Sequence, residues 1–337
     1  MRRLFTIVAA LAALLVTAAP ALACGGLIGP NGAVNLLRTT TFAGYHDGVE
    51  HYVTAFQFAG GGGAFGSIVP LPDVPTSVER GGDWTLQRLV RETDPPQFRL
   101  EAAAAAGDAE VLLQTRIDAL DITILRGGGA EVGKWATEHG FRLPPDAPEV
   151  LDFYADRSPI FMAASFDADA ARERGQQIGD GTPVHLTIPT DDPWVPLRIL
   201  GLGKVAGELV QADLYLLTDA RPNLLPQPAD NGLTLDHSAA ATDSLLADLR
   251  SDKGMGWIPA SAWLSKVEIN ADAAQLKFDL AIDPTGTGAP SMVDAGLAGS
   301  GPPPSLPTGN LLVLWLLVAV GIAIPTASGL ALALRPR

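Results

Sequence analysis

One cysteine in 337 residues, Cys24, excludes a disulfide within the chain, so whatever core this protein has must hold without that kind of staple. Basic residues are scarce too. Against 37 Asp+Glu there are 23 Lys+Arg, a formal net charge of −14, and a surface of that sign repels phosphate backbones and anionic head groups. Nucleic acid is therefore excluded as a partner. The sequence also lacks His-Glu-x-x-His, Gly-x-Ser-x-Gly, Ser-x-x-Lys and a phosphate loop with Ser or Thr after its Gly-Lys, and the glycines at 60–63 read as a hairpin turn rather than the strand-to-helix turn of a dinucleotide fingerprint. No cofactor is expected.

What is present is concentrated first at the two ends. Residues 1–23 read as an export signal: Arg2 and Arg3, an apolar stretch over 4–16, and the small-residue cleavage site Ala21-Leu22-Ala23. Cleavage there leaves Cys24 as the first residue, either free or, by the lipoprotein route, acylated. Residues 311–334 carry no charge and, at about 1.5 Å per residue, reach roughly 36 Å, enough for a tilted membrane helix. Arg335 and Arg337 follow, which sets the C-terminus in the cytoplasm and 24–283 outside as a single-pass, cell-membrane protein. Setting aside Arg2, Arg3, Arg335 and Arg337 leaves 19 basic against 37 acidic residues for the exterior part. Leu306-Pro307-Thr308-Gly309 lies before the run in the layout of a sortase signal that is one residue short, so a retained helix is expected rather than attachment to the wall.

Between the ends, period-2 alternation recurs between turn signals. Asp47-Gly48 favours a two-residue hairpin turn between strands over 35–45 and 49–58. A second hairpin is expected with 60–63 as its turn and 64–69 as its return strand. Asp83 is placed to cap a helix ending near Arg91, and the alanine-rich segment 101–108 reads as a linker, a sub-boundary falling near 97–108. Strands are expected over 111–117, 120–125, 160–166, 184–188, 197–200 and 209–217, helices over 131–139, 148–155 and 241–250, and a last hairpin from 263–269 and 275–282. Residues 284–310, rich in Gly, Pro and Ser, read as a flexible stalk. Consecutive strands with few helices give the α+β class: largely antiparallel β-sheets with short helices, plus the C-terminal transmembrane helix.

Several of these stretches, taken in order, resemble one family. Cys24-Gly25-Gly26, Ile68 to Pro75 (IVPLPDVP), Trp135 to Pro145 (WATEHGFRLPP), Val150 to Phe166 (VLDFYADRSPIFMAASF) and Pro196-Leu197-Arg198 are similar to an uncharacterised family of exported bacterial proteins, domain of unknown function 2330. The resemblance implies an exported, often membrane-anchored domain. It brings no activity, cofactor or catalytic residue, and the second cysteine expected near Cys-Gly-Gly is not here.

The candidate chemistry is sparse. On a hairpin turning at Asp47-Gly48, His46 and His51 fall on one sheet face and Glu50 on the other; the two imidazoles are candidate metal ligands, and zinc would need a third and fourth from elsewhere. Asp167 with Asp169 and Asp191 with Asp192 are acidic pairs without the glycine and distal glutamate of a calcium loop. Asp236-His237-Ser238 holds triad residue types as chain neighbours, which reads as a loop. Trp194, Trp257 and Trp263 suit core packing or sugar stacking. The partners expected are the membrane, through the C-terminal helix, and an envelope protein or polymer. A surface interaction or structural module is the leading reading, with an exported hydrolase of envelope polymers or a divalent-metal-binding surface domain as alternatives.

Overall fold

Alternation of apolar and polar residues produces sheets with two different faces, and here both faces of two large sheets are covered. A computed structural model of the chain describes residues 26–29, 32–33, 39–56, 65–93, 113–167, 170, 173, 182–229 and 231–298. The expected signal, the linker at 101–108, the sub-boundary around it and the membrane helix at 311–334 lie outside these residues. Among the described residues no helix is long and apolar enough to cross a membrane.

The first sheet has six strands in the order β2-β1-β5-β9-β8-β7: β1 (Gly26–Gly29), β2 (Gly32–Ala33), β5 (Gly66–Leu71), β7 (Leu113–Ile117), β8 (Leu120–Arg126) and β9 (Ile160–Phe166). The second has seven, β14-β15-β12-β3-β4-β10-β6: β3 (Thr39–His46), β4 (Val49–Phe56), β6 (Ser77–Arg80), β10 (Thr182–Pro189), β12 (Leu209–Thr218), β14 (Leu233–Ala240) and β15 (Trp263–Asp272). Every pairing in both is antiparallel except β12 with β3. A small third sheet joins β11 (Trp194–Val195), β16 (Leu280–Asp283) and β13 (Asn223–Leu225).

Alternate residues sort the core into layers. Ile122, Ile124 and Met162 of the first sheet share one buried cluster with Leu186, Leu214 and Val267 of the second, so the two sheets face each other. Their neighbours one residue on point the other way. Ile68, Phe161 and Leu125 pack under α2 (Gly129–Glu138) and α3 (Ala147–Ala155), while Phe42, Val53 and Tyr215 pack under α1 (Thr85–Thr93) and α4 (Asp243–Ser251). The result is helices, sheet, sheet, helices.

Several sequence expectations change for physical reasons. The strand expected at 64–69 forms as β5 but pairs with β1 and β9 in the first sheet, because β10 occupies the free edge of β4. Residues 197–200 form a 3-10 turn (Arg198–Gly201) instead of a strand, since the amides of Leu197, Arg198 and Ile199 donate to Asp279 and Tyr154 side chains. β15 has β12 and β14 on its two edges, so the segment after it cannot fold back as a hairpin and enters the small sheet. Asp83 does not cap α1; Asp252, distant in sequence, accepts from the Thr85 amide at 2.8 Å and its hydroxyl at 2.7 Å. Residues 284–298 of the expected stalk are packed turns, with Ala295 fully buried. Asp236-His237-Ser238 lies within β14, where a bulge falls between Leu235 and His237.

Candidate functional site

The hairpin turns as its dipeptide requires. Asp47 and Gly48 both hold positive φ, +50° and +77°, and the register pairs His46 with Val49, Tyr45 with Glu50 and Gly44 with His51. His46 and His51 therefore share the outer face, and Glu50 points between the sheets. His46 is engaged by Asp219, 2.8 Å from its Nδ1, and by Asp47 at 3.4 Å. His51 Nδ1 lies 3.0 Å from Nε2 of His185 on β10, so one ring donates and the other accepts. The Trp257 indole stacks flat on His51, 3.8 Å between ring centres and 2° between planes, crossing the strand pair where Gly44 leaves room for it.

Burial sets the chemistry of this group. It drives the His51 pKa down to about 3, with the neighbouring His185 and His46 adding to the effect, and burial lowers His185 as well, against the pull of Glu79. Both rings are thus neutral at ordinary pH. Glu50 is the opposite case: it is 1% exposed, neither carboxyl oxygen has a hydrogen-bond partner among the described residues, and burial raises its pKa to about 8. It keeps its proton at neutral pH. Across the pair, Tyr45 donates to the Thr190 carbonyl at 2.9 Å, and its hydroxyl is pushed up by burial and by Asp191, Asp192, Glu50 and Asp219. Among the described residues no group of three or more His, Cys, Asp or Glu is gathered to hold a metal.

A second polar centre lies under α3. Asp279 is fully buried; its Oδ1 accepts from the Tyr154 hydroxyl at 2.8 Å and from the Leu197 and Arg198 amides at 2.7 and 3.0 Å, and its Oδ2 from Arg157 at 2.5 Å. Burial raises the Asp279 pKa, and Arg157 and the donors oppose that rise. Arg157 and Arg198 stand over the ring of Phe153, 4.0 and 4.2 Å from its centre. Tyr154, Arg157 and Arg198 come from two of the stretches that carry the family resemblance, and what they build together is a clamp between α3, the 3-10 turn and the end of the folded body. Beside it, a recess of about 190 Å³ is lined by Arg198, Lys204 and Lys277 with Asp146, whose carboxylate accepts from the Gly203 amide.

The remaining candidates resolve individually. Asp167 accepts from Arg116 and from the Ala170 amide, Asp236 holds Lys266, and Ser238 accepts from the Trp263 indole at 2.9 Å. Trp194 is buried beside Tyr154 in the clamp. His185 is the residue that sequence reading missed, and no local signal marks it.

No curated protein matches the chain in sequence. Among solved structures, baculovirus P35 is similar at 9% identity and a TM-score of 0.38, over 74% of this chain and 96% of that one. A mutated baculovirus P35 after caspase cleavage is similar at 9% identity and a TM-score of 0.34, over 74% and 94%. The pattern of an uncharacterized protein conserved in bacteria, domain of unknown function 2330, matches residues 18–301, and the chain belongs to that family.

Proposed function

We propose that this chain is an exported cell-surface protein, held in the membrane by its C-terminal apolar run, whose folded body is an interaction or structural module of the envelope. One observation carries the reading. Residues 311–334 carry no charge and, at about 1.5 Å per residue, reach roughly 36 Å, and Arg335 and Arg337 follow them. An uncharged run of that length followed by basic residues is the pattern of a membrane anchor. A tag placed after Arg337 tests it: intact cells treated with protease should lose the folded body while the tag stays with the membrane and is released by detergent. A full-length chain in the soluble cytoplasmic fraction would overturn it.

A further inference from the structure

Lys266 stands on the outer face of the second sheet, in β15, with β12 on one side and β14 on the other. Its Nζ lies 2.8 Å from Asp236 Oδ2 and 3.7 Å from Asp213 Oδ1. The side chains of Lys266 and Asp213 are each 3% exposed, whereas Asp236, in the β14 bulge, is 41% exposed. An amine and a carboxyl of opposite charge are thus fixed side by side in a nearly dry place, with a second carboxyl touching the same nitrogen. Burying such a pair as ions carries a desolvation cost that a neutral bond between them would remove.

We propose that Lys266 and Asp213 condense to an amide, a covalent cross-link between β15 and β12, with Asp236 as the proton relay. Asp236 takes one proton from the Lys266 ammonium. The freed nitrogen lone pair forms a bond to Cγ of Asp213, Asp236 passes protons from nitrogen to one Asp213 oxygen, and the bond from Cγ to that oxygen breaks. Two of the three ammonium protons leave with the oxygen as water, the third stays on the amide nitrogen, and Asp236 ends as the carboxylate it began as. No oxidant, reductant or activated donor enters the balance. In free solution water opposes this condensation; between fixed neighbours the effective concentration reaches about 10⁵–10⁸ M, and the half-exposed side at Asp236 gives the water a way out. A chain with one cysteine has no disulfide to use for the same purpose.

Mass spectrometry of the full chain, extracted in detergent and digested with a protease that cuts after lysine, decides it. The expected result is a branched peptide joining the Lys266 and Asp213 segments, lighter than their sum by one water, with no cleavage after Lys266. Complete cleavage there with linear peptides of full mass overturns the proposal, and so does a bridge from Lys266 to Asp236. Lys266→Arg and Asp213→Ala should give only linear peptides. Asp236→Ala should slow bridging by about 100-fold; bridging at the wild-type rate would remove Asp236 from the mechanism. The wild-type digest is decisive even where a variant fails to fold.

Discussion

Two buried carboxyls, Asp279 and Glu50, occupy equally dry places and have been treated in opposite ways by the fold. Asp279 meets four donors, one of them Arg157, whereas Glu50 meets none among the described residues. A satisfied buried charge repays its desolvation only through its partners, so everything around Asp279 is held in one geometry. A lone buried carboxyl repays nothing, and its proton becomes the variable. The first region is a fastener; the second, with the neutral His51 and His185 pair on the opposite face of the same sheet, is where the molecule responds to pH.

Removing the fastener should have the largest effect. Asp279→Ala leaves Arg157, the Tyr154 hydroxyl and two amides without their acceptor, and loss of one partner from a buried ion pair costs about 3–5 kcal/mol. Thermal or urea denaturation should show an unfolded or strongly destabilised chain, and a melt within error of wild type would dissolve the distinction drawn between the regions. Gly296 tests the same clamp from the other side. Its φ is +66° and a Cβ there would lie 2.2 Å from Phe153 Cζ, so Gly296→Ala should cost roughly 2–3 kcal/mol in the same measurement, from strain and overpacking together.

The two regions also differ in how far the sequence discloses them. Asp47-Gly48 and strict alternation were enough to place His46 and His51 on one face and Glu50 on the other, because the turn dictates the register locally. The contact of His51 with His185 joins residues 134 apart, and nothing in β10 marks its histidine as different from any other alternate residue. At the clamp, Tyr154, Arg157 and Arg198 stand in stretches notable for their order, yet the acceptor that unites them lies in a segment that reads as the second half of a hairpin. Backbone amides seeking a side-chain acceptor leave no periodicity, so residues 197–200 read as a strand although Arg198–Gly201 form a 3-10 turn.

Acid and alkali should separate the two faces of β4. Glu50 has a folded-state pKa of about 8 against an ordinary 4.5, so its contribution to stability is complete below about pH 4.5 and is lost as pH rises through 8, with a slope of at most ~1.4 kcal/mol per pH unit. Glu50→Gln should flatten the melting temperature across that window; an unchanged slope would show that Glu50 is solvated. His51 runs the other way. Its pKa of about 3 against 6.5 gives stability that is present above pH 6.5 and lost as pH falls toward 3. In proton NMR the His51 ring signals should stay fixed from pH 8 to 5, and titration near 6.5 would mean that the ring is not buried under Trp257.

The smallest effect is expected at the hairpin tip, and it completes the contrast with Gly296. Gly48 has the same backbone requirement, φ +77°, but no atom lies within 4 Å of where its Cβ would be. Gly48→Ala therefore adds left-handed strain without overpacking, and a cost of about 1 kcal/mol follows. The difference between the two alanine variants isolates the packing of Phe153 against the turn at 296, because the conformational term is common to both. Denaturant melts in one buffer measure it. Equal losses at the two positions would mean that the clamp yields to an extra methyl as easily as open solvent does, and the close packing assigned to it would have to be withdrawn.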